Sequence, residues 1–565
     1  MTPTRPGTGS GVRHAAGFDA ASGGVVNPSG RAGGTLRLVT SADVDSLDPA
    51  RTYYVWSWLL QRTFQRTVMA YAPAPGPAGR GLVPDLATAP GRPGDGARTW
   101  TYVLRRGVRF EDGAPVTSRD VKYAVERLFA QDVLPGGPTY LVQLLDDPAA
   151  PYPGPYQDPH PERLGLRAVE TPDDHRIVFH LRRPFADFDY LMAQPTTAPV
   201  PRAADTGASY GRRPVASGPY RIGAYEPGRA LRLVRNRCWD RATDPLRRAL
   251  PDEIAVAVGL DVHEVDRRLL AGEFDVNLEG RGTQLATQQR ILDDPALLAN
   301  ADNPSTGFLH YIAIQPQVPP LGDVHCRRAV QYAADKLGLQ LARGGPVLGG
   351  DIATSLLPPS LPGHEPFDRY PSGPDRRGDL AAARTELAAA GLPGGFRTTI
   401  ATQRGKFRGV ADTLARSLAR VGILADVVEL DVASYYHAGI GRPATVRAMG
   451  LGLAVTDWGA DYPTGYGFLA PLVDGRHVKP RGGNHNFAEL ADPEIDALVD
   501  QALASTDPAR HARLWNRVDR LVMEHAVILP MVHDRTLHYR HPRVTNVYVH
   551  PAFGLYDLQA LGVGR

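Results

Sequence analysis

Polar and apolar positions first alternate at Thr35-Leu36-Arg37-Leu38-Val39, the pattern of a half-buried strand. The turn signal Ser46-Leu47-Asp48-Pro49 follows. The same period returns at Trp100, Tyr102 and Leu104, and Glu111-Asp112-Gly113 marks the next turn. Thr117-Ser118-Arg119-Asp120 then has the form of a capping box. Val121, Ala124, Val125 and Leu128 behind it are spaced for one face of a helix. Val169 to Leu181, broken by Thr171-Pro172-Asp173-Asp174, predicts a hairpin.

The second half reads differently. Phe396 to Ala401 predicts a strand. Val410, Leu414, Leu418 and Val421 predict a helix face, with Gly422 placed as its terminating glycine, and Ile423 to Leu430 predicts another strand. A β-α-β unit implies parallel strands and a mixed α/β body. Residues 1–32, rich in Gly, Ala, Ser, Pro and Arg, have no such period and are expected to form a disordered tail or tether.

Length changes this picture by requiring more than one core: the chain has 565 residues, and single cores stop growing near roughly 250–300. Charge removes one class of partner. The net charge is +3, the only lysines are Lys122, Lys336, Lys406 and Lys479, and the arginines are dispersed. That distribution argues against nucleic acid as a partner. No apolar run is long enough to cross a membrane as a helix, and the residues before Gly33 lack the apolar core of a signal peptide. Cys238 and Cys326 could form one disulfide or stay as two thiols; sequence leaves both open.

Candidate chemistry is sparse. There is no H-E-x-x-H, and His310, His325, His437 and His485 are far apart, so neither a metal nor a cofactor is expected. Gly7 to Gly11 mimics a nucleotide loop without a preceding strand, and Gly450-Leu451-Gly452 lacks a third glycine. No nucleophile elbow is present, and the chain is not expected to be an enzyme.

Seven segments in order resemble the family 5 solute-binding proteins of ABC transporters, which take peptides, nickel chelates or oligosaccharides. They are Gly33-Gly34-Thr35-Leu36 with Leu47-Asp48-Pro49; Leu82-Val83-Pro84-Asp85-Leu86-Ala87; and Leu104 to Val121. Ser217-Gly218-Pro219-Tyr220, Val234-Arg235-Asn236 to Trp239, Cys326 to Lys336, and Trp458-Gly459-Ala460-Asp461-Tyr462-Pro463 complete the set. The resemblance implies an α/β, type II periplasmic-binding-protein-like fold with three lobes and a cleft closed by a hinge. One lobe would be discontinuous (33–60, 199–304 and 533–565), a second inserted (61–198) and a third continuous (305–532). Phe110 to Pro115 and Ser217 to Tyr220 are expected to be structural turns.

The resemblance also places a carboxylate, here Asp461, against the ammonium of a peptide, a group that needs a buried acid partner. Trp458, Tyr462, Tyr435 and Tyr436 are the other candidate ligand residues, with packing as the competing role. The implied function is capture of peptides for delivery to the membrane subunits of an ABC permease, by a monomer. An oligosaccharide or other small solute, or an intracellular sensor reusing the fold, are the alternatives. The implied location is extracytoplasmic, periplasmic or tethered to the cell surface. No lipobox cysteine precedes Cys238, so the expectation is that the start given lies downstream of the natural one.

Overall fold

The computed structural model describes residues 14–160, 165–479 and 481–564. Thr35–Val39 forms the strand its alternation predicts, but its partners are distant in sequence. It lies between Glu253–Ala257 and Val276–Asn277, both parallel to it. Ala230–Arg235 and Tyr220–Glu226 extend this sheet antiparallel to five strands. Leu36 and Leu38 pack with Leu233 and Val256, and with Val544, Leu561 and Val563 from the far end of the chain. This core is therefore assembled from both ends of the sequence.

A four-stranded antiparallel sheet lies between those segments in sequence. Thr99–Val103 pairs with Arg92–Gly94 and Arg176–His180, and the latter with Val169–Asp173, the expected hairpin. The helix Ser118–Arg127 starts where the capping box places it: the Thr117 backbone N–H donates to Asp120 Oδ2 at 2.8 Å. Val121, Ala124, Val125 and Leu128 are all buried.

The second half builds a six-stranded sheet in the order Asp351–Ile352, Ile528–Arg535, Ser305–Ile314, Leu453–Gly459, Arg397–Gln403, Leu424–Leu430. The last two junctions are parallel and the others antiparallel. The helix Arg408–Ala419 makes the crossover of the predicted β-α-β unit, with Val410, Leu414 and Leu418 in the core. Gly422 follows at φ +86°, where an added Cβ would lie 2.4 Å from the Gly394 carbonyl.

The Leu82–Ala87 motif has a structural explanation. Asp85 accepts from Arg66 Nε at 2.8 Å and Arg247 Nη2 at 2.7 Å, and Arg247 Nη1 lies 3.2 Å from Asp244. All four side chains are buried, so the motif encodes a charge network inside the protein.

The amino-terminal segment departs from expectation. Residues 1–13 lie outside the described residues, but the stretch beyond them is no free tail. Asp19 N–H donates to the Ala301 carbonyl at 2.9 Å and Ala21 N–H to Asp302 Oδ1 at 2.8 Å. Val26 exchanges backbone hydrogen bonds with Val547 at 2.8 and 3.0 Å. Among the side chains described here, Ala21 and Val26 are the buried apolar ones, too few to leave a period in the sequence.

Both cysteines are free thiols. Cys238 Sγ donates to the Glu111 carbonyl at 3.3 Å, while Cys326 sits in the core beside the six-stranded sheet. Burial pushes the Cys326 thiol up to about 11, and only the thiolate reacts readily. Thiol labelling of the unreduced, denatured protein should therefore find two thiols. Native labelling at neutral pH should stop at Cys238. A single unlabelled pair after denaturation would contradict this arrangement. Among the described residues no helix is long and apolar enough to cross a membrane.

Candidate functional site

A cavity of about 340 Å³ opens beside the six-stranded sheet, where its strands meet loops and a helix from distant parts of the chain, a volume at the small end of the usual range for ligand pockets. Its wall draws on the helix Val55–Gln61, the Glu279–Arg281 loop, the start of Ser305–Ile314, the 457–463 segment and residues 551–555. Trp56, Trp58, Tyr71, Phe308 and Phe553 give it an aromatic lining.

Strand pairing decides which side chains reach it. In the Ser305–Ile314 pairing with Leu453–Gly459, His310 opposes Asp457, Leu309 opposes Trp458 and Phe308 opposes Gly459. Alternation sends successive residues to opposite faces. His310, Asp457, Phe308 and Gly459 line the cavity, while Leu309 and Trp458 turn away from it. Trp458 instead donates its indole N–H to the Phe468 carbonyl at 2.9 Å and stacks near His485 at 4.9 Å.

Asp461 follows directly and lies in the wall. Tyr53 Oη donates to its Oδ2 at 2.7 Å, and Tyr140 Oη donates to the same oxygen. Those phenols come from two separate segments, one just before Val55–Gln61 and one opening the helix Tyr140–Leu145. Burial pushes the Asp461 carboxyl up, opposed by the two phenol hydrogen bonds. Among the described residues no cation pairs with it.

The other expected residues are divided. Tyr462 is buried in the cavity wall, edge-on to Tyr140 at 5.3 Å between centroids, and among the described residues its hydroxyl has no hydrogen-bond partner. Tyr435 is not in the wall: it is fully buried, and its hydroxyl donates to the Val455 carbonyl at 2.6 Å. Tyr436 stands one layer behind, donating to Asp457 Oδ1 at 2.9 Å. Of the five candidates, the structure brings Asp461 and Tyr462 to the cavity and keeps Trp458, Tyr435 and Tyr436 out of its lining.

Several wall residues escaped the sequence reading. Asp534 bonds Arg343 Nη2 at 2.8 Å and lies 3.4 Å from His310 Nε2. Burial raises its carboxyl, but His310 and Arg343 outweigh this and hold it below the usual range. Glu279 accepts from Ser41 Oγ at 2.9 and 2.8 Å and from Ala42 N–H at 2.7 Å. The one available signal was Glu279-Gly280-Arg281-Gly282, a charged pair set among glycines after a short strand. Among the described residues no group of His, Cys, Asp and Glu is placed to hold a metal ion.

Comparison with known proteins agrees with this architecture. A solved structure titled clavulanic acid biosynthesis oligopeptide binding protein 2 is 65% identical, with TM-score 0.94, covering 98% of this chain and 99% of that one. HbpA2 from Haemophilus parasuis shares the fold at 20% identity and TM-score 0.75, covering 94% of this chain and all of that one. Among characterised sequences, heme-binding protein A of Haemophilus influenzae is 25% identical over 486 residues, 82% of this chain and 81% of its own length. The glutathione-binding protein GsiB of Escherichia coli K12 is 24% identical over 474 residues, 81% of this chain and 82% of its own. The model for bacterial extracellular solute-binding proteins, family 5 (middle part), matches residues 81–480. With that match across most of its length, the chain belongs to the family 5 bacterial extracellular solute-binding proteins.

Proposed function

We propose that this protein is the peptide-capturing subunit of an ABC importer, binding its ligand in the central cavity. The observation that carries the reading is Asp461, a half-buried carboxylate in the wall with two phenol donors and, among the described residues, no cation. A carboxylate desolvated in this way is complementary to a peptide ammonium. Extended peptide backbone can add further hydrogen bonds without reading side chains. The 65% identical relative, itself titled an oligopeptide binding protein, supports the same ligand class. On this reading the protein works outside the cytoplasm as a monomer, delivers peptide to permease subunits in the membrane, and carries out no chemistry on it.

Calorimetric titration with a mixed-sequence pool of di- to tetrapeptides tests the ligand class, and small-angle scattering of the same samples tests closure. Heat of binding and a smaller radius of gyration are expected. A pool that produces neither overturns the peptide reading.

A further inference from the structure

The chain passes between the five-stranded and the six-stranded sheet twice, outward through Ala301–Asp302 and back through His538–Tyr539. The two crossings pair antiparallel, Ala301 opposite Tyr539 and Asp302 opposite His538. A change in the angle between the two bodies has to be absorbed at this ladder, where their covalent links run.

The amino-terminal segment is laid across this ladder. Its rear half is fixed to the five-stranded side. Besides the Val26 pairing with Val547, Asn546 N–H donates to the Asn27 carbonyl at 2.9 Å, and Asn27 Nδ2 reaches the Pro542 and Val544 carbonyls, both at 3.1 Å. Arg248 Nη2 donates to the Ser29 carbonyl at 2.9 Å. The front half grips the outward crossing. Asp19 N–H donates to the Ala301 carbonyl, and Asn303 N–H donates back to Asp19 Oδ1, both at 2.9 Å. Asp302, which accepts from Ala21 N–H, is fully buried and is also held by Arg540 and by Tyr556 Oη at 2.7 Å. From the six-stranded side, Arg535 ends its strand by donating to the Asn303 carbonyl at 2.8 Å, and its Nη1 lies 3.9 Å from Asp19 Oδ2. The two polar anchors, Asp19 and Asn27, have φ of +57° and +49°, in the left-handed region that Asp and Asn tolerate better than other residues with a side chain.

We propose that residues 19–29 are a hinge brace, which shifts the two bodies toward the closed angle and so raises ligand affinity without touching ligand. The angle in this structure is a closed one. Tyr53 adjoins the helix Val55–Gln61, whose Leu59 and Leu60 pack in the core of the five-stranded sheet, and it reaches Asp461 of the other body across the cavity. Opening carries Arg535 away from Asp19, while the rear anchors stay with Val547 and Arg248. The contacts of the Asp19 carboxylate therefore differ between the open and closed states, which is what a shift in population requires. No residue of the 19–29 segment lines the cavity. The brace acts whatever the ligand is, so it goes beyond the peptide reading.

The test uses the full chain with two substitutions at the front anchor. Asp19→Gly removes the carboxylate and tolerates the positive φ. Asp19→Asn keeps an acceptor for Asn303 and removes the charge that faces Arg535. Small-angle scattering is recorded with and without the mixed-sequence di- to tetrapeptide pool, and calorimetry gives the affinity. Ligand-free Asp19→Gly should have a larger radius of gyration than the unmutated protein. With saturating peptide the two radii should coincide. Affinity for the pool should fall by about three- to tenfold, because the binding-competent closed state is less populated, and Asp19→Asn should lie between. An unchanged ligand-free radius in both variants overturns the brace. So does a radius that stays enlarged at saturation, which would mark a loosened fold instead of a shifted hinge. If the unmutated protein binds no peptide, the peptide reading fails by itself and the ligand-free radii alone decide the brace.

Discussion

Asp461→Asn should weaken peptide binding by at least about tenfold, or about 1.4 kcal/mol, without lowering the stability of the ligand-free protein. The first half follows from desolvation. Removing one partner of a buried ion pair costs roughly 3–5 kcal/mol, whereas an exposed pair is worth about 0–1. Asparagine keeps the shape and can still accept from Tyr53 and Tyr140, but it offers the ammonium no charge. The second half follows from the sign of the titration. Burial raises the Asp461 carboxyl, so its ionised form is disfavoured by folding when no ligand is present. Removing that charge relieves a penalty, and the melting temperature of the variant should equal or exceed that of the unmutated protein. For the same reason affinity should fall on the acid side, as pH drops through the raised pKa and the carboxylate becomes neutral. An N-acetylated peptide has lost the ammonium, so it should bind poorly and be little affected by the substitution. Titrating both peptides against both proteins closes a double-mutant cycle. A coupling near zero would remove Asp461 from the site.

The largest effect on stability is expected at Asp85. Its carboxylate holds Arg66 and Arg247 at 2.8 and 2.7 Å, and all three side chains are buried. Asp85→Ala leaves two buried guanidinium groups sharing Asp244, and loss of one member of such a network costs roughly 3–5 kcal/mol. Chemical denaturation should show a large drop in midpoint. Asp244 adds a pH signature. Burial raises its carboxyl, but Arg247 and Arg66 outweigh burial and hold it down to about 2. A depressed folded pKa stabilises above the unfolded value, about 3.9 for Asp, and the stabilisation is lost as pH falls toward 2. The unmutated protein should therefore lose stability steeply between about pH 4 and pH 2, and Asp244→Asn should flatten that limb. A variant at Asp85 with an unchanged midpoint would mean that water or neighbouring carbonyls satisfy the arginines, and would contradict the network.

Local order was legible in the sequence because it depends on neighbours a few residues apart. The Leu36/Leu38 alternation, the Thr117 cap and the β-α-β unit around Arg408–Ala419 each rest on contacts of that range. The ordered motifs also placed the chain in its family, and part of the Trp458 to Tyr462 segment they include runs along the cavity wall. Tertiary structure decided the rest. Periodicity shows that Asp457 and Trp458 lie on opposite faces of a strand but not which face meets ligand; the pairing with Ser305–Ile314 settles that Asp457 faces in. Asp461 meets Tyr53 across 408 positions and Tyr140 across 321, and Glu279 meets Ser41 across 238. No local pattern carries such encounters, because they depend on sheet order and on how separate cores pack. The same is true of Ala21 and Val26, whose burial comes from surfaces folded hundreds of residues later. Sequence by itself determined the local elements, the family and one acid that proves to line the cavity. Packing between distant segments determined which side chains share the cavity with that acid.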